Sequence, residues 1–402
     1  MKTTYLQQLL GVLILLHLAT CASDTPPSTS PTTVDSSQVF EKGGDYYQMK
    51  GQLGEYAVTM ELRLDPILAK EGHYLGFYRY DRFGGPIGLH GYQDSLGMLT
   101  LTEEGSFDNK AHQLVGRFDP TEGFVGEWYS GNGQDVLSFE LLPNDSNLVQ
   151  LEQWHYQDSL LAFPGFAASP QMTYDLSWLI PTEEQLSRTQ LLYLRKAIAQ
   201  GLLGQTDSKA ADKLEDLVLQ QRTKYLADYR TEMANYIEEG IIDTSKMELH
   251  DALYHYAHST SMQVYYNAWP LLTVGYTDYD YQGGAHGMYG TRVATYDVER
   301  ARQLKLEDVL KPGYEEPVGQ VLANAIRLKY NLAANQPLSA ILFDDAVQPN
   351  ANFGLTDKGI FFVFPPYEIA PYAAGEIELF VAFERIQEVV QEAWLPQPEA
   401  TL

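Results

Sequence analysis

Between residues 40 and 143 apolar and polar residues alternate. In VTMELRL, Val58, Met60, Leu62 and Leu64 are apolar, and Thr59, Glu61 and Arg63 fall between them. That period of two predicts a half-buried antiparallel strand with every second residue exposed. HYLGFYRY, GMLTLTEE, HQLVGRF, GFVGEWYS and DVLSFELL repeat the theme, with RFGGP, FDPTEG and SGNGQD as turns. Strands recurring every ~8–12 residues predict an all-β unit, a barrel or sandwich. A meander of about eight strands is the favoured form.

Beyond residue 180 the period changes. TEEQ at 182–185 reads as a capping box, and Leu186, Leu192, Leu194 and Ile198 follow at helical spacing up to Gly201. A longer helix is expected from near Ser208 to Gly240, through Leu214, Val218, Tyr225, Tyr229, Tyr236 and Ile237. Strands return in MQVYYNAWPLLTVGYTDYDYQ and TRVATYDV. A helical face at Val318, Val321, Leu322, Ala325 and Ile326 precedes GIFFVF and EIELFVAF. Without a regular βαβ repeat, this order predicts an α+β domain with helices packed on an antiparallel sheet. The expected map is therefore a barrel-like domain at 40–145, a linker at 146–180 marked by Pro164, Pro170 and Pro181, and an α+β domain at 181–392.

The ends change the picture. Lys2 precedes an apolar run of about eleven residues at 9–19, too short for the ~20 that span a bilayer, so residues 1–20 read as a signal peptide. The run ends in Leu18-Ala19-Thr20-Cys21, which resembles the lipobox of bacterial lipoproteins and makes Cys21 the expected lipidation site. Cys21 is the sole cysteine, so no internal disulfide is available. Residues 21–39, rich in Ser, Thr and Pro, have almost nothing to bury and read as a disordered tether. The expected location is the cell envelope, lipid-anchored and facing periplasm or exterior, at the outer membrane where the host has one.

The formal charge is −26, one unit more negative once Lys2 is removed. Such a chain repels nucleic acid and anionic headgroups and attracts cationic partners in a salt-dependent way.

Candidate chemistry centres on YQGGAHGMYGTRVATYD at 281–297. Its closely spaced glycines describe a forced turn. His286 within it is a hydrogen-bonded turn histidine, a binding contact or a general base, the last requiring a partner within reach. Elsewhere, HDALYHYAH puts His255 and His258 at i, i+3 after His250 and Asp251. On a helix that pair could share a metal, but HExxH spacing is absent, and surface or capping histidines are the expectation. Tyr254, Tyr256, Tyr265, Tyr266, Trp269, Tyr276, Tyr279, Tyr281 and Tyr289 crowd the same region, as sheet packing or as a platform for sugar or protein.

The segment YQGGAHGMYGTRVATYDVERARQLKLEDVL, followed by FGLTDKGIFFVFPPYEIAPYAAGEIELFVAF, resembles the C-terminal envelope domain shared by RsiV-type anti-sigma factors and PdaC-type peptidoglycan deacetylases. The resemblance covers roughly residues 245–390. It implies an extracytoplasmic, non-catalytic module, which senses lysozyme in the anti-sigma relatives and accompanies a separate catalytic domain in the deacetylases. The transmembrane segment of the first and the metal-binding deacetylase motifs of the second are not found here. Candidate ligand-binding residues are His286, Tyr289, Gly283, Gly284 and Tyr367, with no catalytic residue, metal or cofactor expected. The resulting expectation is a non-enzymatic envelope lipoprotein that binds a cationic protein such as lysozyme, or cell-wall glycan. The alternative is a glycan-acting enzyme, or an accessory subunit of one, which the 53 acidic residues leave open.

Two acyl chains at ~0.8 kcal/mol per buried methylene hold a protein on a membrane. Cys21→Ser should therefore release the protein from membrane fractions and abolish labelling by a palmitate analogue. Retention with labelling would remove the lipid anchor.

Overall fold

The computed structural model describes residues 40–43, 45–65, 72–104, 111–164, 169–204, 214–242 and 252–395. The expected signal, Cys21 and the tether lie outside them, as do His250 and Asp251. Strand β1 (Phe40–Lys42) leads into β2 (Tyr46–Leu53), β3 (Tyr56–Leu64), β4 (His73–Tyr80), β5 (Ile87–Gln93), β6 (Met98–Glu103), β7 (Gln113–Asp119), β8 (Gly123–Tyr129) and β9 (Val136–Pro143). Strands β2–β9 form a closed antiparallel barrel in meander order, sealed by β2 against β9. Its inside is packed with side chains such as Met60, Leu99, Leu101, Phe124 and Leu141. Glu103 also points inward, accepting from Tyr78 Oη at 2.6 Å and Trp128 Nε1 at 2.7 Å.

Strands β10 (Leu151–Leu161) and β11 (Gln171–Pro181) follow. These occupy the segment expected to be a linker. Pro164 and Pro170 lie between the two strands and Pro181 ends the second, so the prolines punctuate a strand pair where the sequence suggested a linker. Helices α1 (Arg188–Leu203) and α2 (Leu214–Glu238) come next, then β12 (Tyr256–Ala268), β13 (Leu271–Tyr281), β14 (Met288–Asp297) and β15 (Arg302–Gln303). The seven-stranded sheet runs β1-β10-β11-β12-β13-β14-β15. Among the described strands β11–β12 is its one parallel pair, and the connection between those two carries α1 and α2 onto one face. Short α3 (Leu306–Val309) and α4 (Glu315–Lys329) precede β16 (Phe353–Leu355), β17 (Gly359–Phe364) and β18 (Ile377–Ala382), a separate three-stranded sheet.

Helix α1 starts five residues later than the sequence suggests. Its capping box is Ser187 with Gln190: Gln190 N–H donates to Ser187 Oγ at 3.4 Å and Ser187 N–H donates to Gln190 Oε1 at 2.9 Å. Thr182 is held instead at the sheet edge, where its N–H donates to Gln150 O. The helix runs past Gly201 and ends at Gly204 in the left-handed region, φ 60°.

The barrel and the sheet share a buried face. On β3 the alternating residues expected to meet solvent are buried: Thr59, Glu61 and Arg63 are 1%, 1% and 3% exposed. Glu61 pairs with Arg79 at 3.0 Å and accepts from Gln48 Nε2 and Tyr46 Oη. Gln48 also donates to Asn267 O of β12 at 2.6 Å, and Asn267 Nδ2 donates to Tyr46 Oη at 3.1 Å. Arg79 lies 4.5 Å from the centre of the Tyr266 ring. Beside this polar hub, the β12 ladder shifts register between Val264 and Tyr266, and the intervening Tyr265 stacks on Phe77 of the barrel at 3.9 Å and on Phe361 of β17 at 4.7 Å. The described residues between 40 and 395 accordingly belong to one compact unit.

Removing one partner of a buried ion pair leaves an uncompensated charge and costs ~3–5 kcal/mol. Glu61→Ala should lower the unfolding free energy by about that amount in chemical denaturation. Replacing Glu61 and Arg79 together by apolar residues of similar size should recover most of it.

Candidate functional site

The hairpin β13–β14 organises two neighbouring regions. Its turn contains Gly283 and Gly284 at φ 85° and 93°. A Cβ on Gly283 would sit 2.6 Å from Leu253 O, so both backbone conformation and space call for glycine there. These two glycines shape the turn and present no side chain. Tyr281 Oη braces it by donating to Gly284 O at 3.0 Å.

The rest of the loop meets PYEIAPYAAG, some eighty residues later. His286 stacks on Tyr372 with ring centres 4.0 Å apart and planes at 21°. Gly287 O lies 3.0 Å from His286 Nδ1 and accepts from Tyr372 Oη at 2.7 Å. Tyr289 stands edge-on to Tyr372, and its Oη accepts from Glu376 N–H at 3.3 Å. Tyr367, with its ring 5.6 Å from Tyr372, is 51% exposed. It holds φ 71°, a left-handed conformation that costs a non-glycine residue ~1–3 kcal/mol. The fold thus brings His286, Tyr289 and Tyr367 together as one aromatic rack.

On the opposite face of the same strands lies a half-open groove of about 760 Å³, between the helices and the sheet. His258 of β12 lines it. The sequence allowed this residue a helix, but it sits on a strand, so the i, i+3 pairing with His255 that a shared metal required does not form. Among the described residues no cluster of three His, Cys, Asp or Glu side chains is arranged to hold a metal. His258 stacks on Tyr225 of α2 at 4.3 Å and on Tyr174 of β11 at 5.2 Å. Its Nδ1 bonds Asp280 Oδ1 at 2.7 Å, while Nε2 is buried with no partner among the described residues.

Beside this pair, Asp278 accepts from Thr260 Oγ1 at 2.8 Å and from Arg292 Nε at 2.9 Å. Arg292 Nη1 donates to Gly201 O at 2.6 Å, tying the end of α1 to the sheet. Burial, with Asp280 and Asp278 adding, pushes the Tyr225 phenol up to about 12, so it remains a hydrogen-bond donor at neutral pH. A histidine with one nitrogen fixed by a carboxylate can do general acid–base work where a substrate or water comes within hydrogen-bond reach of the other, here buried, nitrogen.

Neither Asp278 nor Asp280 was singled out by sequence reasoning. The signal was present in TDYDY and in HST at 258–260, where period-two spacing sends Asp278 with Asp280, and His258 with Thr260, to a common side. Their being opposite one another depends on the β12–β13 register, which pairs His258 with Asp280 and Thr260 with Asp278.

Residues 307–384 match the family described as "Protein of unknown function (DUF3298)", and residues 200–289 match "Deacetylase PdaC". The C-terminal region is thereby related to the DUF3298/PdaC fold family. A DUF3298 family member from Bacteroides fragilis is similar in structure, with a TM-score of 0.53 and 24% identity over 61% of this chain and 96% of its own; the likeness is one of fold. A DUF3298 family protein from Pseudomonas aeruginosa PAO1 has a TM-score of 0.41 and 21% identity, covering 62% of this chain and 98% of its own. No curated protein matches the chain. The expectation of a non-enzymatic protein is overturned by the match to an enzyme family, whose span includes His258, Asp278, Asp280 and the glycine turn.

Valine at either turn glycine should destabilise the protein by about 1–3 kcal/mol, read as a lowered Tm. Gly283→Val should cost more than Gly284→Val, because only the first also meets a carbonyl oxygen; a Cβ on Gly284 has open space around it.

Proposed function

We propose that this chain is an envelope protein that acts on cell-wall glycan, removing an N-acyl group from a sugar held in the groove. The observation that carries the reading is the His258–Asp280 pair beside the groove, whose buried Nε2 has no hydrogen-bond partner among the described residues. The match to a family described as a deacetylase supports the same chemistry. Asp280 fixes the imidazole so that Nε2 accepts a proton from water. The hydroxide formed attacks the amide carbonyl carbon, and the C–N bond then breaks as the proton passes from Nε2 to the leaving amine. The products are a carboxylate and an amino sugar. Tyr225, kept as a phenol, is the donor available to the carbonyl oxygen. Lipid anchoring through Cys21 and the tether at 21–39 belong to the same proposal and would place the groove within reach of the wall. Among the described residues no helix is long and apolar enough to cross a membrane.

Wild type incubated with N-acetylated wall fragments should release acetate. His258→Ala and Asp280→Asn should lower that rate by about 10²–10⁴-fold, the usual worth of positioned proton transfer. Fragments that bind wild type without any acetate release would make the chain the accessory subunit of a glycan-acting enzyme. Wild type that neither binds nor deacetylates them overturns the reading.

A further inference from the structure

The aromatic rack at the tip of the hairpin takes no part in that chemistry. We infer that His286, Tyr289, Tyr367 and Tyr372 form a second glycan-binding subsite, on which pyranose rings of an uncharged sugar chain stack. The inference rests on the glycan reading of the groove.

Three observations carry it. The first is preorganisation. Tyr372 spends its hydroxyl on Gly287 O and Tyr289 spends its own on Glu376 N–H, while His286 Nδ1 is engaged with Gly287 O. The polar ends are used within the protein, and the rings are held by two loops that are distant in sequence. What remains for a ligand is ring face and the second imidazole nitrogen of the exposed His286. Flat apolar faces with a hydrogen-bonding group at the rim suit a pyranose, which has an apolar face and a rim of hydroxyls.

The second observation is strain. Tyr367 is half exposed in a left-handed conformation that glycine would adopt at no steric cost. Packing does not explain a tyrosine there, because its ring is largely outside the core. Display of the ring does. Unfavourable backbone conformations of this kind gather at ligand-binding positions.

The third is continuity. Successive residues on β13 point to opposite faces, so Asp278 and Asp280 line the groove while Tyr279 and Tyr281 face the side of the rack. A sugar chain running over the hairpin tip touches both regions, whereas a single sugar reaches one. The rack then gives a preference for polymer over fragment.

The test measures calorimetric affinity for short and long N-acetylglucosamine oligomers in wild type, Tyr367→Gly, His286→Ala and His258→Ala. Tyr367→Gly should hold or raise Tm, by relieving the left-handed strain, and weaken the long oligomer by about tenfold. His286→Ala should weaken it with little change in Tm, because its ring is exposed and its Nδ1 bonds only its own neighbour's carbonyl among the described residues. The short oligomer should be much less affected by either. Equal affinity of wild type and both rack variants for the long oligomer overturns the inference. So does a loss confined to binding of poly-lysine, which would make the rack a cation–π site for a basic partner. Failure of the groove reading reads differently: wild type would release no acetate and His258→Ala would bind as wild type. The rack variants would still report on this subsite.

Discussion

The polar hub around the buried Glu61–Arg79 pair, which ties the barrel to Asn267 and Tyr266 of the sheet, is the constraint on which the arrangement of the two halves depends. Desolvating two charges costs several kcal/mol each, recovered only if every remaining donor and acceptor is satisfied. Here Arg79, Tyr46 and Gln48, all from the barrel, satisfy Glu61, and Tyr46 and Gln48 also bond Asn267 on the central sheet while the Tyr266 ring lies against Arg79. Asn267 in turn accepts from Val149 N–H and donates to Val149 O, fixing the chain where it leaves the barrel. A shift between barrel and sheet would break the Gln48–Asn267 and Asn267–Tyr46 bonds and take the Tyr266 ring off Arg79. The apolar stack of Phe77, Tyr265 and Phe361 beside the pair adds area without adding direction.

That docking also decides what the other face of the sheet can be. With one face of β12 committed to the barrel through Ser261, Tyr265 and Asn267, its remaining residues must meet the helices. Most of them do so as core: Met262 and Val264 join Leu194, Ile198 and Val218 in one cluster. Toward the other end of β12 the residues become polar: His258, under Tyr225 of α2, lines a groove with Thr260, Asp278 and Asp280. Arg292 marks the transition, spanning from Asp278 to the end of α1. The groove is therefore a polar gap in a packed interface that resumes at Tyr256 and Tyr229, with its chemistry held by strand register.

Much of the fold was legible. Alternation and turn signals gave the closed meander of β2–β9, and helical spacing gave α1, α2 and α4, because each of those patterns is local. The misreadings share one cause. Pro164, Pro170 and Pro181 look alike in a linker and at strand ends, and Thr182-Gln185 and Ser187-Gln190 are both competent boxes. Glu61 and Arg63 look like solvent-facing positions until a second sheet covers them. In each case the competing readings are equal locally, and a distant surface chooses between them.

The candidate site divides the same way. The sequence by itself determined that a sharp turn lies at Gly283-Gly284, because only glycine tolerates those angles. It also determined that PYEIAPYAAG is an irregular segment between two apolar strands. The tertiary structure alone brought that segment onto the turn, stacking Tyr372 on His286, and set His258 opposite Asp280 through the β12–β13 register. The physical reason is that backbone conformation is fixed by neighbours along the chain, whereas proton transfer and ring stacking need atoms within a few ångströms in space. Those atoms come from strands and loops that only the closed, docked fold places side by side.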